Sequence, residues 1–74
     1  MTLKDLVSKV IIQGDVRISI WDELGEEEVR VLDFFGLDRL SLHDVSEIKM
    51  MRVKYMFVGG DSILHIELDP KYRH

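Results

Sequence analysis

The chain has no cysteine among its 74 residues. Disulfides, thiolate metal sites and a cysteine nucleophile are therefore excluded, and the absence fits a reducing compartment. Long apolar runs are missing as well. No segment approaches the ~20 apolar residues of a membrane span, and the start, M-T-L-K-D, lacks a signal-peptide run. The expectation is a soluble cytoplasmic protein with no membrane partner. Positive charge is scarce: 10 basic side chains stand against 14 acidic ones, for a net charge of −4. Lys and Arg are scattered, which argues against sequence-independent nucleic-acid binding. There is one proline, Pro70. Asp69-Pro70 should end the last strand, because proline cannot donate to a ladder, and residues 69–74 should form a frayed tail.

Motifs that carry chemistry are also lacking. His43, His65 and His74 show no H-x-x-x-H or H-E-x-x-H spacing, so no metal site is expected. Ser41, His43 and Asp44 are triad ingredients without a G-x-S-x-G elbow, and capping explains Ser41 and Asp44 more simply. Gly59-Gly60-Asp61 is followed by a strand rather than a helix, which suits a hairpin and not a phosphate loop. No catalytic residue and no cofactor are expected.

What is present is patterning for one small α+β domain spanning residues 1–74. Thr2 to Ile12 reads as a helix, with Leu3, Leu6, Val7 and Val10 on one stripe. Thr2 is its N-cap, and Asp5 places a carboxylate in the first turn. The β-branched Val10-Ile11-Ile12 allows an extended last turn instead. Val16 to Trp21 alternates as a strand, and Asp22 to Gly25 is a turn. Glu28 to Phe34 reads as a second strand, with a short helix as the alternative. Ser41 opens a short helical connection through Val45 and Ile48, or Leu40 to Leu42 is a brief strand. Met51 to Leu68 forms a hairpin closed on Gly59-Gly60, pairing Val58 with Asp61 and Tyr55 with Leu64.

These elements predict an N-terminal helix packed on an antiparallel sheet of two β-hairpins, with a small Sm/SH3-like barrel as the alternative. One helix covers one face. The opposite face is predicted to carry Trp21, Leu32, Phe34, Met56 and Ile63, an apolar patch that a monomer seldom exposes. The expected partner is a second copy, in a two-fold dimer, or an unknown protein. The acidic run Asp22, Glu23, Glu26, Glu27 and Glu28 reads as a solvated turn tip, or as a patch that engages a basic partner or mimics phosphates. Trp21 and Tyr55 could stack bases, but without surrounding cations Trp21 reads as interface and Tyr55 as core.

Two resemblances add to this reading. T-L-K-D-L-V at Thr2–Val7, V-R-I-S-I-W-D at Val16–Asp22 and V-K-Y-M-F-V-G-G-D with L-H-I-E-L within Val53–Leu68 resemble short uncharacterised proteins of bacterial phages and other mobile elements. That resemblance implies a non-enzymatic accessory protein acting through protein contact. V-G-G-D-S-I-L-H-I at Val58–Ile66 is similar to the second motif of Sm-like RNA-binding proteins. It implies a small barrel and ring assembly. Gly59 stands where that family's arginine would be, and Asp38-Arg39 where its Met-Asn pair would fall.

Overall fold

The structure, a computed structural model, describes residues 1–22 and 27–69. Helix α1 is Leu3–Lys9, and strands β1 to β4 are Gly14–Trp21, Glu28–Leu37, Arg52–Val58 and Leu64–Asp69. Of the expected frayed tail 69–74, Asp69 is instead the last residue of β4, and the rest, with most of the turn after Asp22, lies outside the described residues.

Helix α1 starts where the capping chemistry places it. The Thr2 hydroxyl accepts from the Asp5 N–H at 3.2 Å, and the Asp5 carboxylate accepts from the Thr2 N–H at 3.1 Å. A capping box of this kind stabilises a helix by about 1 kcal/mol. The helix stops at Lys9, short of the expected Ile12. Val10 is extended (φ −128°, ψ 135°), the conformation its branched side chain favours. Gly14, at φ +89°, is the first residue of β1.

The sheet has four strands in the order β2-β1-β4-β3. The β1/β2 and β3/β4 pairs are antiparallel, but β1 and β4 run parallel, with Ile18 opposite Ile66. The sheet is therefore mixed, which corrects the all-antiparallel expectation. It is also open, ending in two edge strands, rather than closed as a barrel. Burial explains the order. The two most apolar inner faces, Val16, Ile18 and Ile20 on β1 and Ile66 and Leu68 on β4, take the centre. Strands β2 and β3, exposed at most positions, take the edges.

The core lies on one face only. Leu3, Leu6 and Val7 of α1 pack there with Ile12, Leu40, Val45, Ile48 and Met51. The segment after β2 contributes the last four but forms no α-helix. It is a run of turns, 42–50, with N–H to C=O bonds spanning three residues, from Asp44 to Ser41, Ser46 to His43, Ile48 to Val45 and Met51 to Ile48. Val45, Ile48 and Met51 reach the core at a spacing of three, which suits such turns better than a 3.6-residue helix. Ser41 and Asp44 bond each other as a cap would: the Ser41 N–H and hydroxyl both donate to Asp44 at 2.9 Å.

The β3/β4 hairpin closes three residues later than expected. Val58 faces Leu64 rather than Asp61, and the turn spans residues 59–63. Neither Gly59 nor Gly60 adopts a positive φ; Ser62 does, at +64°. The Asp61 carboxylate competes for the turn by accepting the Ile63 N–H at 3.0 Å. At Gly59 a Cβ would sit 2.7 Å from the Asp61 carboxylate, so a larger residue there would push that side chain from its bond to the Ile63 N–H. Farther out, a bulge at Lys54 lets Val53 and Met56, three residues apart, both pair with core-facing residues of β4.

These local bonds predict acid sensitivity. Asp5, Asp44 and Asp61 each sit below the ordinary carboxylate value of 3.8, chiefly through backbone N–H donors. Asp33 does too, through the Arg17 guanidinium. A depressed folded value stabilises above the unfolded value, and that contribution is lost as pH falls through the folded one. The thermal midpoint should therefore hold down to about pH 4 and fall steadily toward about pH 2. A midpoint that is flat across that window would contradict these assignments.

Candidate functional site: the uncovered face of the sheet

The face opposite α1 is built by strand alternation. Cross-strand partners share a face, so the register defines two rows running across all four strands. One row is Asp33, Arg17, His65 and Phe57; the next is Val31, Ser19, Glu67 and Tyr55. Trp21 lies two residues beyond Ser19 on β1, and Phe35 two beyond Asp33 on β2. No other element covers this face among the described residues, and Val31, Phe35, Tyr55 and Phe57 are each 44–53% exposed.

The first row is held by charge and rings. Arg17 Nε and Nη2 donate to the two Asp33 oxygens at 2.7 and 3.2 Å, a fork that raises the Arg17 pKa and lowers that of Asp33. The Phe57 and His65 rings stack at 4.7 Å and 2°, and His65 Nε2 lies 3.4 Å from the Asp61 carboxylate. The rings continue to Tyr55, 5.9 Å from Phe57.

The second row holds an anomaly. Glu67 is only 5% exposed, beside Ser19 at 2%, and a buried carboxylate needs donors. The Tyr55 hydroxyl donates to Oε1 at 3.5 Å, the limit of a useful bond, and Oε2 has no partner among the described residues. Partial burial first, and Glu67 second, push the Tyr55 phenol up. Among the described residues the Trp21 indole N–H is likewise buried without a partner, while its ring takes the Lys54 ammonium at 5.4 Å. One unmet acceptor and one unmet donor thus lie on the same face.

Of the five residues expected to form a contact surface, the structure places only Trp21 here. Leu32 and Phe34 pair with Ile18 and Val16, so they turn inward and half-bury against the core. Met56 pairs with Ile66 on the core side at the sheet edge, 44% exposed, and Ile63 lies half-buried in the turn. Tyr55, expected in the core, faces outward instead. The residues missed are Val31, Phe35, Tyr55, Phe57 and Glu67. The signal for Tyr55 and Phe57 was the spacing in V-K-Y-M at Val53–Met56, where a bulge switches the alternation.

The metal and triad candidates do not converge on this face. No group of three His, Asp or Glu side chains among the described residues could hold a metal ion. Among the described residues no helix is long and apolar enough to cross a membrane. No protein family, curated protein or solved structure matches the chain, so both resemblances rest on the quoted residues alone.

Proposed function

We propose that the chain is a non-enzymatic accessory protein, of the kind the mobile-element resemblance implies, that acts by protein–protein contact through the uncovered sheet face. The observation that supports this most is the set of exposed large side chains, Val31 and Phe35 on β2 with Tyr55 and Phe57 on β3, on a face left without cover while the other is packed. Exposed aromatic side chains are favoured anchors of protein interfaces.

Charge selects the partner. The face keeps an unmet carboxylate oxygen on Glu67, and the chain carries a net −4. A second copy would bring the same acidic surplus face to face. A different protein, with an apolar surface bearing a Lys or Arg for Glu67, complements it better. The ring ladder alone would also suit single-stranded nucleic acid, but Arg17 is already committed to Asp33.

Affinity capture with three immobilised chains tests this reading: wild type, Phe57→Lys, and Ile11→Lys as a control on an exposed residue off the face. Wild type and Ile11→Lys should retain the same protein, and Phe57→Lys should lose it by roughly tenfold or more. Equal retention by all three, or retention of nuclease-sensitive RNA in place of protein, would count against the proposal.

A further inference from the structure

The uncovered face hides the two polar groups that a partner would need. Glu67 and Ser19 are almost fully buried at its centre, although no helix or turn lies over them among the described residues. Glu67 Oε2 and the Trp21 indole N–H are both sealed from solvent, and neither has a partner among the described residues. A cation or a carbonyl arriving from outside can reach these atoms only after a side chain moves. With no element above them, the cover has to be made of side chains.

The β3 bulge supplies that cover. Val53 pairs with Leu68 and Tyr55 with Glu67, which leaves Lys54 as an extra residue opposite the same stretch of β4. A bulge sets two residues against one and re-aims a side chain. Val53 turns to the core, whereas Tyr55 and Lys54 both lie on the open face. The Tyr55 hydroxyl rests on Glu67 Oε1 at 3.5 Å, and the Lys54 ammonium lies over the Trp21 ring at 5.4 Å. Strand β4 separates β3 from β1, so the Lys54 arm and the Trp21 ring meet across the strand that carries Glu67. Lysine stems cover apolar surface in this way. Both side chains are exposed and weakly held: the hydroxyl contact is at the limit of a useful bond, and a cation–π contact of an exposed lysine is weak. The ammonium leaves Glu67 Oε2 unpartnered, so the arm closes the site without neutralising it.

We infer that Lys54 and Tyr55 form a two-residue lid over Glu67 and Trp21, closed in the free chain and lifted when a partner docks. This gate serves the protein contact proposed above and rests on that reading. Closed, the lid shields the Trp21 ring and sets a positive charge in the path of the partner's Lys or Arg. Lifted, Lys54 moves to solvent, the Trp21 ring becomes an anchor, and Glu67 Oε2 opens to the incoming cation.

Trp21 is the only tryptophan, so its fluorescence reports this site alone. Acrylamide quenching should rise roughly twofold in Lys54→Ala, and Lys4→Ala, at an exposed site on α1, should match wild type. Lys54 is exposed, so its truncation leaves the core intact. In affinity capture Lys54→Ala should retain roughly threefold more protein than wild type, because the closed population no longer competes with binding. Quenching equal to wild type would overturn the lid whatever the capture shows. Raised quenching with capture equal to or below wild type would overturn the gating and leave the contact reading standing. If no chain retains a protein, the contact reading fails, and the lid stands or falls on the quenching alone.

Discussion

Ile66→Ala should remove most of the stability of the domain. Ile66 is fully buried on β4, between Ile18 of β1 and Met56 of β3, and Ile18 is fully buried too. Truncating a side chain at such a site costs about 2–5 kcal/mol, because the transfer term and the cavity term add. A core of this size supplies only about 3–5 kcal/mol in total. Urea denaturation should therefore show a midpoint near zero, while Ile11→Ala, at a site 64% exposed, stays within about 0.5 kcal/mol of wild type. Ile18→Val and Ile66→Val should couple in a double-mutant cycle, since the two are opposite only if β1 and β4 pair in parallel. A loss below about 1 kcal/mol for Ile66→Ala, or additive valine variants, would contradict the central pair.

Glu67→Leu should act in the other direction and make the protein more stable. The carboxylate is buried with one oxygen unpartnered among the described residues and the other held by a 3.5 Å contact. An apolar residue of similar size removes the desolvation cost, which runs to about 1–3 kcal/mol for an unsatisfied group. The thermal midpoint should rise by several degrees, at roughly 4–8 °C per kcal/mol. The same variant should capture less partner, because the acceptor awaiting a cation is gone. A gain in stability with a loss of contact is the expected signature of a polar group kept for function. Glu67→Leu with lowered stability would mean that the carboxylate is satisfied in solution, and capture equal to wild type would remove Glu67 from the interface.

Much of the local structure was legible. The alternation of Val16, Ile18 and Ile20 marked β1, and Thr2 with Asp5 marked the start of α1. Ser41 and Asp44 were expected to cap a short helix; they bond each other, but the segment they open is a run of turns. Longer-range order was not legible. Nothing local states that β1 and β4 lie side by side, since that follows from which two strands bury the most. The turn was misplaced because Gly59-Gly60 is a strong turn signal, while Asp61 and Ser62 supply the actual closure. That three-residue slip reversed the face of Tyr55. On β2, apolar residues occupy both faces, so Leu32 and Phe34 were assigned outward when Val31 and Phe35 hold that side. The expected contact face was an apolar sheet face, and of its five named residues only Trp21 lies on the uncovered side of the sheet.

The proposed contact is tested most directly by which side chains a bound partner shields. Oxidative footprinting of the captured complex reads this residue by residue. Trp21, Tyr55 and Phe57 should be protected relative to the free chain, while Met1 and Met50, exposed away from the sheet face, should react as before. Protection of Met1 or Met50 with Tyr55 and Phe57 unchanged would place the contact elsewhere and contradict the proposed surface.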